Sequence, residues 1–144
     1  MIQLGRPGPR DVVYDLGCGD GRVVIEAVKR TGARGVCVDI DPKLIRMARE
    51  NAARAGVAGR IGFRTEDLFV TDIRDATVVM LFLWPEVNLR LLPKLLKELP
   101  PGARIVSNMH DMGNLAPTRV ISLGTKNDPH DVFLWSMGAS PGSD

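Results

Sequence analysis

Long apolar runs, clustered cysteines and a strong bias of charge are all missing from this chain of 144 residues. No stretch approaches the ~18–20 uninterrupted apolar residues of a membrane span. The opening MIQLGRPGPRD has no apolar run between its charges, so no signal peptide is expected. Cys18 and Cys37 lie apart in apolar or glycine-rich stretches, a usage that suits a reducing cytoplasm better than a disulfide or zinc framework. No Cys/His cluster suggests a metal. Internal repeats and linkers are also absent, which predicts one domain over 1–144 with 139–144 as a frayed tail.

What is present is ordinary for a globular chain: 44% hydrophobic and 25% charged residues. A chain of this length buries roughly two-thirds of the surface it exposes when unfolded. Residues 1–64 hold 12 basic and 7 acidic side chains, while residues 65–144 hold 7 and 10. The basic excess falls mostly on two predicted helices and reads as a solvated helical face.

Apolar runs alternate with helical periodicity along the chain. Val12–Leu16, Val36–Val38, Ile61–Thr65, Thr77–Leu83 and Ala103–Ser107 read as strands. Arg22–Thr31 reads as a helix stopped by Gly32, and Asp41-Pro42 as the N-cap and first turn of a second helix ending at Gly56. Val87–Leu99 is helical in pattern, with Pro93 predicting a kink or a second helix. Arg119–Leu123 and Val132–Met137 are strands with no helix between them, so they should pair as a hairpin. The fourth strand is apolar on both faces and therefore central. The expected fold is a Rossmann-like, doubly wound, seven-stranded α/β sheet, mostly parallel with one antiparallel strand.

The informative segment is Asp15-Leu16-Gly17-Cys18-Gly19-Asp20-Gly21-Arg22, between a strand and a helix. An open α/β sheet binds its ligands at such a point. Gly17, Gly19 and Gly21 let the backbone turn sharply and approach a ligand without Cβ clashes. A dinucleotide site wants G-x-G-x-x-G around a pyrophosphate. Here the pattern is D-x-G-x-G-x-G, and Asp15 and Asp20 would repel phosphate. They suit a ligand carrying an ammonium and a sulfonium, as S-adenosylmethionine does. Asp39 ends the second strand, where an acid accepts ribose hydroxyls, with Ile40 beside it. Asp67 follows the third strand, placed to accept from the adenine amine while the Leu68 amide meets a ring nitrogen. Singly, each acid reads as a loop carboxylate; at successive strand ends they outline one nucleoside pocket. Asp41 reads as a helix cap.

With those residues in place, the sequence resembles the class I S-adenosylmethionine-dependent methyltransferases. It is most similar to the small archaeal protein-lysine methyltransferases and the ATP synthase c-subunit lysine methyltransferases. VVYDLGCGDGRVVIEA, ATVVMLFLWPEVN, LLPKLLKELPPGARIVS and the terminal HDVFLW carry the likeness over most of residues 11–136. The resemblance implies S-adenosylmethionine as cofactor, S-adenosylhomocysteine as product and a protein lysine as acceptor. It also implies a proline-rich segment ahead of the first strand and a histidine after Ser107. This chain has eleven residues before Val12, among them Pro7 and Pro9, and Asn108 in the second place.

Methyl transfer is an in-line displacement, for which the protein supplies alignment at roughly 3–3.5 Å. A lysine must also lose its proton, and an apolar mouth favours that by disfavouring the ammonium. Leu83-Trp84-Pro85 follows the central strand, so Trp84 is either a wall of that mouth or a packing residue. Ser107, Asn108, His110 and Asp111 follow the fifth strand. Asn108 and His110 are candidates to handle the acceptor amine, although a lone loop histidine is more often a bystander. His130 reads as structural, and Glu86 as a cap of the helix after it. Phe82-Leu83-Trp84-Pro85 lacks the Asn/Asp-Pro-Pro-aromatic signature that grips a flipped base, which disfavours nucleic acid as partner. The expected protein is a cytoplasmic methyltransferase, monomer or homodimer, acting on an accessible protein lysine. The alternatives are a small-molecule or RNA methyltransferase, or a cofactor-binding module weak in catalysis.

Overall fold

In strand β1 (Val12–Leu16) the two-residue side-chain period supplies both faces of a sheet. Val13 packs with Ala27, Val78, Met80 and Val106 on one side, while Tyr14 and Leu16 pack with Leu91, Leu95 and Ile105 on the other. The computed structural model describes residues 6–108, 117, 119–124 and 129–137. His110, Asp111 and the tail lie outside the described residues.

After β1 come helix α1 (Arg22–Thr31), β2 (Arg34–Asp39), helix α2 (Pro42–Arg54), β3 (Ile61–Thr65) and β4 (Val78–Leu81). Helix α3 (Pro85–Glu98), β5 (Arg104–Asn108), β6 (Arg119–Gly124) and β7 (Pro129–Ser136) complete the order. The sheet runs β3-β2-β1-β4-β5-β7-β6. Pairings among β1 to β5 are parallel, and β7 runs antiparallel to both β5 and β6. Helices α1 and α2 cover one face and α3 the other, as the strand–helix alternation predicts for a doubly wound α/β domain. Strand β4 is buried throughout and sits between β1 and β5, in agreement with its unbroken apolar run. The order also reverses direction between β1 and β4, opening a crevice above their C-terminal ends.

Three local expectations are corrected. Of the kink or second helix expected at Pro93, the second helix is absent, because α3 runs unbroken through that residue. Pro93 and Leu89, whose carbonyl the proline leaves unbonded, both lie on the exposed side, while buried Leu91 and Leu95 hold the helix on the sheet. Glu86 does not cap α3: Trp84 is its N-cap residue, without a side-chain cap bond, and Glu86 sits inside the first turn, where its charge faces the helix's positive end. Cys18 and Cys37 form a disulfide with their Cα atoms 5.4 Å apart. Their separation of 19 positions hides the adjacency of β1 and β2: Asp15 pairs with Cys37, and the chain after Leu16 folds back over β2. The cysteines therefore give no argument for a reducing compartment. Asp41 caps α2 as expected, accepting the Lys43 amide at 2.9 Å.

Candidate active site

The glycine loop is built against the end of β2. The amides of Gly17 and Cys18 both donate to the Val38 carbonyl, at 2.8 and 2.9 Å, and the Gly21 amide closes on the Cys18 carbonyl at 2.9 Å. Gly17, Gly19 and Gly21 all adopt left-handed backbone angles, with φ of 78°, 59° and 82°. At Gly17 a Cβ would also stand 2.8 Å from Leu83 Cδ2. At Gly19 it would meet nothing within 4 Å, so the loop there presents bare backbone to open space.

That space belongs to a cleft of about 380 Å³ lined by Asp15, Gly17, Cys18, Gly19, Asp20, Arg22, Val23, Leu44, Met47 and Phe82. The sequence-expected Asp15, Gly17, Gly19 and Asp20 are thus brought together, with Gly21 at the start of α1. Asp15 is buried, and loss of solvation raises its carboxyl to about 7, helped by the nearby Asp39 and Asp20 charges and opposed by a hydrogen bond from the Val24 amide. Asp20 lines the cleft and has a partner of its own. It grips Arg22 through two contacts, Nε–Oδ1 at 3.1 Å and Nη2–Oδ2 at 2.7 Å, and this pairing holds its carboxyl below the usual range.

Asp39 has work that its position at a strand end did not announce. Its Oδ2 accepts the Gly19 amide and its Oδ1 the Asp41 amide, each at 2.9 Å, so it brackets the glycine loop to the β2–α2 turn. Each oxygen retains a second acceptor direction for a hydroxyl. Ile40, beside it, is largely exposed. Asp67 and Leu68 stand after β3, outside the lining of the cleft, with Asp67 Oδ1 accepting the Phe69 amide at 2.8 Å. Trp84 is 72% exposed and Phe82 59%. Asn108 is buried at the end of β5, next to Ser107, whose hydroxyl oxygen accepts from Asn88 Nδ2 at 3.2 Å.

The sequence reasoning passed over Phe82, Leu44, Met47 and Arg22. Phe82 had a legible signal, an aromatic directly after the central strand. Leu44 and Met47 did not, because their role depends on how α2 packs beside α1. Among the described residues no group of three or more His, Cys, Asp and Glu side chains could hold a metal ion.

Residues 15–119 match the family model of the ANTKMT methyltransferase domain. The chain belongs to that family. It is 41% identical over 139 residues to a protein-lysine N-methyltransferase of Saccharolobus islandicus, covering 96% of this chain and 86% of the relative. It is 38% identical over 122 residues to the adenine nucleotide translocase lysine N-methyltransferase of Mus musculus, covering 84% of this chain but 52% of that protein. Among solved structures it is similar to one from Salinibacter ruber described as an RNA methyltransferase in complex with S-adenosylhomocysteine, with a TM-score of 0.90 and 45% identity, over 99% of this chain and 91% of that one. The chain is an S-adenosylmethionine-dependent methyltransferase. The cleft fits that cofactor: open space over the bare Gly19 backbone, a buried carboxylate for a cationic group and apolar walls in Val23, Leu44 and Phe82.

Proposed function

We propose that this methyltransferase acts on lysine side chains of proteins. The observation that carries this reading is the sign of the charge around the cleft. Arg22, the basic residue of its lining, is paired with Asp20, while Asp39, Asp41 and Glu86 lie at or after the ends of β2 and β4. Such a field draws a cationic acceptor and repels a polyanion. The name of the archaeal relative, which matches nearly all of this chain, supports the same acceptor.

In this reading Asp15 holds the cofactor's ammonium, with Gly17, Gly19 and Gly21 against its amino-acid portion and Asp20 fixing Arg22 at the rim. Asp39 and Ile40 meet the ribose and one face of the adenine, and Asp67 and Leu68 its edge. The bound cofactor supplies a methyl group on a positively charged sulfur. The chain's own residues do the rest. The acidic rim brings in the ammonium, and Phe82, Leu83 and Trp84 strip its water. Desolvation lowers the lysine pKa from its usual ~10.4, and the proton leaves to solvent. His110 assists the ammonium's deprotonation by passing the proton on to solvent, and Asn108 orients the neutral amine that results. Water exclusion and alignment are the protein's main contributions.

A second reading, RNA as acceptor, is favoured by the description of the similar Salinibacter ruber structure. Transfer from isotopically labelled S-adenosylmethionine into a cell extract separates the two. Label that resists nuclease and maps to lysine by mass spectrometry supports the protein acceptor. Label released by ribonuclease overturns it.

A further inference from the structure

Arg64 lies near the end of β3, outside the lining of the cleft, and methyl transfer as described makes no use of it. Its guanidinium nevertheless joins segments from across the sheet. Nη1 donates to the Asp72 carbonyl at 3.2 Å and stands 4.0 Å from the Glu66 carboxylate. Nη2 donates to the Tyr14 hydroxyl at 3.3 Å, and the guanidinium carbon lies 5.4 Å from the centroid of the Tyr14 ring. The Tyr14 hydroxyl in turn donates to Asp75. One side chain thus contacts the start and the middle of the segment between β3 and β4, at Glu66 and Asp72, and ties it to β1 at Tyr14, one residue before Asp15.

The middle of that segment is closed by its own hydrogen bonds. The hydroxyl of buried Thr71 lies 2.8 Å from Glu66 Oε1 and 3.1 Å from the Asp67 carbonyl, which also accepts the Val70 and Thr71 amides at 3.1 and 3.2 Å. Asp67 and Leu68 sit inside this closed turn. Buried Ile73 and Ala76 set how deep the segment lies in the core. Backbone bonds fix the two ends of the segment, the Glu66 amide donating to the Asp39 carbonyl at 3.1 Å and the Thr77 amide to the Val12 carbonyl at 3.0 Å; between them apolar contact is non-directional, and the hydrogen bonds of Arg64 supply the directional ties there.

We propose that Arg64 is a positioning residue for the adenine end of the cofactor, holding Asp67 and Leu68 in register with the glycine loop through Tyr14 and Asp72. The proposal rests on the reading of Asp67 and Leu68 as the adenine edge. Loss of these contacts affects cofactor recognition and leaves the transfer step alone.

The test is Arg64→Met, which keeps the aliphatic stem and removes the donors, measured beside Arg64→Lys and Asp67→Asn. In Arg64→Met the KM for S-adenosylmethionine should rise about tenfold, as for one lost charge-assisted hydrogen bond, with kcat within about twofold. The preference for S-adenosylhomocysteine over S-inosylhomocysteine, in which an oxo group replaces the adenine amine, should narrow in parallel. Arg64→Lys should recover part of both. An unchanged KM, an unchanged preference, or a fall in kcat without a rise in KM overturns the proposal. If Asp67→Asn changes the preference and Arg64→Met does not, the positioning role alone fails. If Asp67→Asn leaves the preference untouched, the underlying reading of the adenine edge fails. Should Arg64→Met not fold, Tyr14→Phe removes only the hydroxyl relay and must raise KM in the same direction; no rise overturns the proposal.

Discussion

The two halves of the sheet solve different problems. On the β1–β2–β3 side every functional position is held by several directional contacts: two amides on the Val38 carbonyl, two amides on Asp39, and a disulfide from the loop to β2. At the end of β4, by contrast, Phe82 and Trp84 stand largely exposed. The difference follows from what each side must recognise. A fixed small molecule rewards a preorganised, fully satisfied site. A large acceptor brings its own surface, and the side facing it needs apolar area that stays available.

Changes on the two sides should therefore separate stability and cofactor affinity from acceptor turnover. The largest effect on stability is expected from the disulfide. Reducing Cys18–Cys37, or making Cys37→Ser, should lower the unfolding free energy by about 3 kcal/mol for a loop of this length, read from urea unfolding with and without reductant. An unchanged curve would mean that hydrogen bonds alone secure the loop. Next comes Gly17→Ala. A side chain in that left-handed conformation costs about 1–2 kcal/mol and also displaces Leu83, so cofactor affinity by calorimetry should fall about tenfold while protein still folds.

A third effect depends on pH. Because the folded-state carboxyl of Asp15 is raised to about 7 from its usual 3.8, the folded chain binds more protons than the unfolded chain between those values. Its contribution to stability is therefore lost as pH rises through that window and levels off above about 7. Cofactor affinity should run the other way, rising with pH as the carboxylate forms. Melting curves and titrations from about pH 5 to about pH 8 should diverge in this manner, and Asp15→Asn should remove both slopes. Parallel slopes would falsify the assignment of Asp15 to the cofactor ammonium. The smallest effect on stability is expected on the other side: Trp84→Ala should stay within about 0.5 kcal/mol. It should leave cofactor affinity intact and lower kcat/KM for the acceptor about tenfold. A loss of cofactor affinity instead would place Trp84 with the cofactor side and erase the contrast.

Much of the cofactor side was legible because its signals are local. Gly17, Gly19 and Gly21 advertise left-handed backbone, and the acids Asp15, Asp39 and Asp67 advertise strand ends. At Pro93 the sequence left a kink and a second helix open, because a proline's cost depends on how the helix packs around the carbonyl it strands; the structure has no second helix there. Asp20 lines the cleft, but its pairing with Arg22, two positions on, could not be read, because the sequence does not say whether a carboxylate there turns to a neighbour, to solvent or to a ligand. Phe82 was half visible: its place after the central strand could be read, its entry into the cleft could not.

The sequence by itself determined the alternation of strands and helices and the glycine turn after β1, because side-chain period and glycine's backbone freedom act within a few residues. Only the tertiary structure decided that Cys18 meets Cys37, that Asp39 brackets Gly19, and that Arg64 reaches Tyr14 and Asp72. Those pairs lie 8 to 50 positions apart and become neighbours through the order and register of parallel strands, which no short stretch of the chain encodes.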